Sequence, residues 1–180
     1  MEDLMAARLQ MALTLGFHII LACLGVGLPV LLLIVEGLWI RTGDPLWREL
    51  ARRWSRAFAV LFAVGAVSGT VLSFELGMLW PGFMGTFGSV IGLPFTLEAF
   101  AFFLEAIFVG IYLYGWNRLD PYIHWLCGIP IALSGAASAW FVTTVNAWMN
   151  SPAGFEMIEG RVENVDLIAA MLNASTPMQT

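Results

Sequence analysis

Charged residues are missing from long stretches of this chain, and those stretches predict its architecture. From Leu9 to Val35 there is no Asp, Glu, Lys or Arg, a run longer than the about 20 residues needed to cross the hydrocarbon core of a bilayer. A first spanning helix is predicted over 9–35. A second uncharged stretch predicts a helix over 57–74, where Gly65 and Gly69 have the GxxxG spacing that lets another helix approach closely. Leu76 to Pro94 is uncharged as well. There, however, Gly77, Pro81, Gly82, Gly85, Gly88, Gly92 and Pro94 interrupt the chain so often that 75–94 reads as a surface or protein-covered loop. A third helix is predicted over 95–116, ending in the polar turn from Asn117 to Pro121. A fourth is predicted over 122–148, with Pro130 as a kink and the small residues from Ser134 to Ala139 suited to tight packing. The predicted fold class is all-α, a multi-pass transmembrane bundle with about four spanning helices in residues 1–155. Residues 156–180 hold Glu156, Glu159, Glu163 and Asp166 against one arginine, Arg161. They read as a polar tail in water with an amphipathic helix around Val165 to Asn173.

Composition strengthens the membrane reading: 59% of the 180 residues are hydrophobic, 12% are charged, and the mean hydropathy is +0.82. All eight basic residues are arginines and the formal charge is -5, so no basic stripe exists to replace phosphate counterions, and nucleic-acid binding is excluded. Cys23 and Cys127 lie far apart in apolar runs and read as inert thiols. The amino terminus carries Glu2 and Asp3 in place of a basic segment, and the first apolar run is too long for a signal peptide, so the first helix is expected to remain in the product. Arg41, Arg48, Arg52, Arg53 and Arg56 fall between helices one and two, and Arg118 falls between three and four. Those loops are expected on the cytoplasmic side and both ends of the chain outside. Trp39, Trp54, Trp80, Trp116, Trp125 and Trp148 lie near predicted helix ends, as an aromatic belt requires.

Three ionisable side chains sit inside the apolar runs: His18 in the first, Glu98 and Glu105 in the third. A charge near the bilayer centre costs at least ~2.5 to 3.5 kcal/mol, so each needs a partner such as a cofactor, a proton path or a counter-ion. A neutral imidazole is a standard axial ligand of haem iron, and a hydrogen bond to a neighbouring helix would explain His18 equally well. Glu98 and Glu105 are seven residues apart, which on a helix is about 700° of rotation and ~10 Å of rise, so both project from nearly one face. Two stacked, buried carboxyls suit a proton relay better than pairing with arginines, which are scarce at that depth. Ser138 and Asn146, eight residues apart on helix four, could bond a relay water or a neighbouring helix. His124, just past the Asp120 and Pro121 turn, reads as a structural residue whose ring reaches water and headgroups.

At these residues the chain resembles subunit I of the cytochrome bd-type quinol oxidases. The strongest stretches are Arg8 to His18, Gly69 to Gly77, Leu97 to Glu105 and on to Gly115 through Leu119, and Asn146 to Pro152. The resemblance covers essentially the whole chain. It implies oxidation of quinol and reduction of dioxygen to water in aerobic respiration, with proton uptake from the cytoplasm, in a bacterial cytoplasmic (inner) membrane. It assigns His18 as axial ligand of one of the two high-spin haems, the haem b and haem d pair. It makes Glu98 and Glu105 the membrane carboxylates of the haem environment and proton path, with Ser138 and Asn146 near that path. Arg8 is placed near the high-spin haems, where a guanidinium could pair with a propionate. The implied partners are subunit II of the oxidase, the carboxy-terminal part of subunit I and the lipid bilayer.

The family's subunit is more than twice as long, whereas this chain stops after four predicted helices at Thr180. The resemblance places the low-spin haem b ligands and the quinol-binding loop beyond that point. The chain is therefore expected to be a truncated product, or an amino-terminal piece working only with the missing part, and inactive alone. Three rivals remain: an electron-carrying membrane cytochrome, which would want more than one deep histidine; a proton or cation transporter, which would want inverted repeats; and a non-catalytic membrane fragment.

Overall fold

The computed structural model describes residues 2–180. Four long helices dominate: α1 (Glu2–Thr42), α2 (Pro45–Leu79), α3 (Pro81–Gly115) and α4 (Pro121–Asn150). All four are long and apolar enough to cross a membrane, and the all-α class follows. Each reaches beyond or close to its predicted bounds, because absence of charge detects hydrocarbon depth and not where a helix ends. At 1.5 Å per residue, the 41 residues of α1 span about 60 Å, roughly twice the hydrocarbon thickness. Large apolar side chains such as Leu13, Phe74, Phe100 and Tyr114 lie exposed on the helices, and lipid is the solvent that suits them.

The expected loop over 75–94 is not there: α2 continues to Leu79, and α3 begins at Pro81. The hand-over at Trp80 keeps its backbone bonded, with Trp80 N–H donating to Leu76 O at 3.3 Å and Met84 N–H to Trp80 O at 3.1 Å. Pro81 stands at the first helical position, where its missing N–H costs nothing. Gly82, Gly85, Gly88 and Gly92 recur at three- and four-residue spacing, so they mark one helix face and not a succession of breaks. Packing of Val90 and Ile91 with Val145, Trp148 and Ala170 offsets their weak helix propensity.

The chain forms two compact units. The first comprises the chain up to Phe74 together with Phe103–Gly135, and its core is built from Leu32, Val35, Phe58, Val109, Tyr112 and Ile131. The second comprises Glu75–Phe102 and Ala136–Thr180, with Val90, Ile91, Val145, Trp148 and Ala170 at its core. Within it the tail is folded. Strands β1 (Glu156–Ile158) and β2 (Arg161–Glu163) pair antiparallel. Their two-residue turn is Glu159 and Gly160, with φ of 49° and 79°, the pair of positive values a tight hairpin needs. The expected amphipathic helix is reduced to α5 (Leu167–Met171), capped by Asp166, whose carboxylate accepts from the N–H groups of Ile168 and Ala169. A four-residue helix, α6 (Thr176–Gln179), closes the chain. Trp148 Nε1–H donates to Ala153 O at 2.9 Å, holding the start of the tail to α4.

Candidate functional site

His18 lies half-buried on α1 in the first unit, against the GxxxG face of α2. A Cβ at Gly69 would stand 3.0 Å from His18 Cε1, and one at Gly65 would stand 3.7 Å from Leu21 Cβ, so the small-residue spacing does admit a close helix. His18 Nδ1 is 2.9 Å from Ser68 Oγ. The Ser68 hydroxyl donates to Gly65 O at 3.0 Å, and with that bond made its oxygen suits an Nδ1–H donor, the tautomer that keeps the lone pair on Nε2. That is the tautomer an iron ligand needs, oriented by a hydrogen bond from its other nitrogen. The donor chemistry at His18 therefore fits a haem. Sequence reading missed Ser68; its signal was a hydroxyl inside the GxxxG segment.

The acids fall in different units. Glu105 on α3 is 5% exposed in the first unit, and Gly135 of α4 makes room for it, since a Cβ there would meet Glu105 Oε1 at 3.1 Å. Glu98, in the second unit, accepts a 3.2 Å hydrogen bond from the Ser138 hydroxyl. The predicted Ser138 is thus brought to a predicted carboxylate. Asn146 is exposed, and its backbone carbonyl accepts from Asn150 Nδ2 at 2.9 Å. Arg8 is exposed on α1, ten residues before His18, which is about 15 Å of helix. Two apolar hollows, one beside Val90 and Trp148 and one beside Leu32 and Tyr112, are lined by none of these residues.

The most completely bonded polar cluster joins residues that sequence reading undervalued. Glu36, at the end of the first apolar run and unremarked there, is 0% exposed. Its Oε2 accepts from the Tyr112 hydroxyl at 2.5 Å, and its Oε1 lies 2.5 Å from His124 Nδ1. His124 Nε2 donates to Tyr112 O at 2.8 Å. The expectation that His124 reaches water is corrected, since it is 2% exposed. It is structural, but because α1 continues past Val35 and brings a carboxylate to it. An acid directly ending an apolar run, with a histidine at the same predicted end of the bundle, was the available signal.

Four helices long and apolar enough to cross a membrane, with a half-buried imidazole on α1 and a buried carboxyl on α3, define an integral membrane protein. A sequence profile for cytochrome bd terminal oxidase subunit I matches residues 6–180. The putative cytochrome bd menaquinol oxidase subunit I of Bacillus subtilis (strain 168) is 43% identical over 175 residues, 97% of this chain and 40% of its own length. The cytochrome bd-II ubiquinol oxidase subunit 1 of Escherichia coli (strain K12) is 36% identical over 149 residues, 82% of this chain and 29% of its own. The solved structure of the bd oxidase from Geobacillus thermodenitrificans aligns with a TM-score of 0.95 at 47% identity, covering 98% of this chain and 41% of that one. The chain belongs to the cytochrome bd terminal oxidase subunit I family, and it spans about 40% of the length of its Bacillus relative.

Proposed function

We propose that this chain supplies the high-spin haem ligand and the membrane carboxylates of a quinol-oxidising, dioxygen-reducing oxidase, working with the rest of subunit I and with subunit II. The observation that carries the reading is the 2.9 Å contact of His18 Nδ1 with Ser68 Oγ, whose own hydroxyl donates to Gly65 O: a proton on Nδ1 satisfies both and leaves Nε2 for iron. A bound haem of the b and d pair supplies the electron transfer and oxygen chemistry that side chains lack. The chain's own residues do the rest. Glu105 and Glu98 hold protons in a low-dielectric setting, and the Ser138 hydroxyl steadies Glu98. Asn146 extends the polar line on α4, and Arg8 offers a guanidinium to a propionate. Relatives named for menaquinol and for ubiquinol both match, so the substrate is proposed as a quinol by class. The arginine-bearing end of α1, start of α2 and turn between α3 and α4 face the cytoplasm of a bacterial cell membrane, and both ends of the chain face out. The four helices form a spanning region to residue 155, with 156–180 outside it.

The test is made in the oxidase assembled around a full-length subunit with these residues. His18→Ala is expected to abolish one high-spin haem signature in the optical spectrum. Glu105→Gln is expected to slow oxygen turnover while haem content is retained, because the amide keeps the shape but carries no proton. Intact high-spin spectra in the first variant would remove His18 as ligand, and parent turnover in the second would remove Glu105 from proton supply.

A further inference from the structure

Glu36, Tyr112 and His124 stand outside the reaction proposed above, and their donors and acceptors balance. His124 Nε2 faces the backbone carbonyl of Tyr112 at 2.8 Å; a carbonyl only accepts, so Nε2 carries a proton. Nδ1 faces Glu36 Oε1 at 2.5 Å, a contact that requires one proton between the two atoms. Whether that proton rests on nitrogen or oxygen, the pair has no net charge. The Tyr112 hydroxyl satisfies the second carboxyl oxygen. Without the proton between them, a carboxylate at zero exposure would face the His124 lone pair with only the Tyr112 hydroxyl donating to it, which is costly.

The surroundings close the pair off. The rings of Tyr112 and Trp116, one turn apart on α3, both pack against the imidazole, each with its centroid 4.3 Å away. Cys127 is a further titratable group within electrostatic reach of Glu36. Leu32, Val35, Val109 and Ile131 are buried in the same core, and a Cβ at Gly128 would meet Leu33 Cδ2 at 2.8 Å.

The three residues come from α1, α3 and α4. In lipid, apolar burial does little to set the rotation of one helix against another, so a polar tie is an effective way to fix it. Tyr112 follows Glu105 by seven residues with buried Val109 between them, so all three share one face of α3. Fixing α3 at Tyr112 therefore fixes where the Glu105 carboxyl meets Gly135.

We propose that Glu36 and His124 permanently hold one proton as a sealed, net-neutral pair, and that through Tyr112 this pair positions the face of α3 bearing Glu105. The inference rests on the reading of Glu105 as a proton carrier. Glu36→Gln is the discriminating variant: its amide can donate to Nδ1 and accept from Tyr112 while carrying no transferable proton. In the full oxidase, Glu36→Gln is expected to keep turnover within about two-fold of the parent, with an unchanged pH profile. Glu36→Ala, and Tyr112→Phe should Glu36→Ala fail to assemble, are expected to lose turnover on the order of 10-fold to 100-fold and to shift the pH profile.

Slowing by Glu36→Gln to the level of Glu105→Gln would show the shared proton moving in turnover, overturning the proposal. An unchanged rate and pH profile in Tyr112→Phe would also overturn it. If Glu105→Gln alone ran at the parent rate, the reading beneath the proposal would fail instead, so the two failures are distinguishable.

Discussion

His18 and His124 are both imidazoles on apolar helices of the same compact unit, and they are used in opposite ways. His124 has both nitrogens committed, one to Glu36 and one to the Tyr112 carbonyl, with the Tyr112 and Trp116 rings packed against it and 2% of it exposed. His18 has one nitrogen against a serine whose hydroxyl already donates to Gly65 O, and its ring is half-buried. A histidine whose donors and acceptors are all consumed by its own chain has nothing left to bind. One with a fixed tautomer and a spare lone pair is prepared for a ligand. The state of the second nitrogen is thus more informative than depth in the membrane, which had favoured His18 over His124 for a different reason.

The largest expected break in this comparison is His124→Ala. Removing the imidazole leaves the Glu36 carboxylate buried without its partner, and losses of about 3 to 5 kcal/mol are typical for such a site; loss of helicity under detergent titration would measure it. His18→Ala should cost far less stability, about 1 kcal/mol, since one part-exposed hydrogen bond is lost. Near-equal losses would mean the two rings are not used differently.

Ser68→Ala sharpens the comparison by releasing the His18 tautomer while keeping the ring. Haem affinity in the full-length subunit should fall about 10-fold to 100-fold, read by haem retention on dilution. Gly69→Ala is expected to have a smaller effect, a shift in the high-spin absorption band, because its Cβ at 3.0 Å from Cε1 must displace the ring by a few tenths of an ångström. Gly65→Ala, where the contact would be an ordinary 3.7 Å, should change stability by less than about 0.5 kcal/mol and leave the band in place. Equal band shifts in the two glycine variants would mean that the His18 ring is not held against Gly69.

Much of the fold was legible in the sequence because lipid imposes one severe condition, satisfaction of every backbone group within the segment, and long uncharged runs meet it as helices. That same signal failed at 75–94, where Gly and Pro counted as breakers although their spacing followed a helix face. It also failed at Glu36, where an acid was taken to mark the end of a span. In both places the deciding energy came from other elements: packing of Val90 and Ile91 with Trp148, and the hydrogen bonds of Tyr112 and His124.

The chain's amino acids by themselves determined four apolar spans and the unusual residues His18, Glu98 and Glu105, because composition and run length report directly on solvent preference. Only the tertiary structure decided which hydroxyl meets His18, which serine meets Glu98, and that Glu36 meets His124 and Tyr112. Those facts depend on distances of a few ångströms between residues 40 to 88 positions apart, and no local pattern encodes a hydrogen bond across that separation.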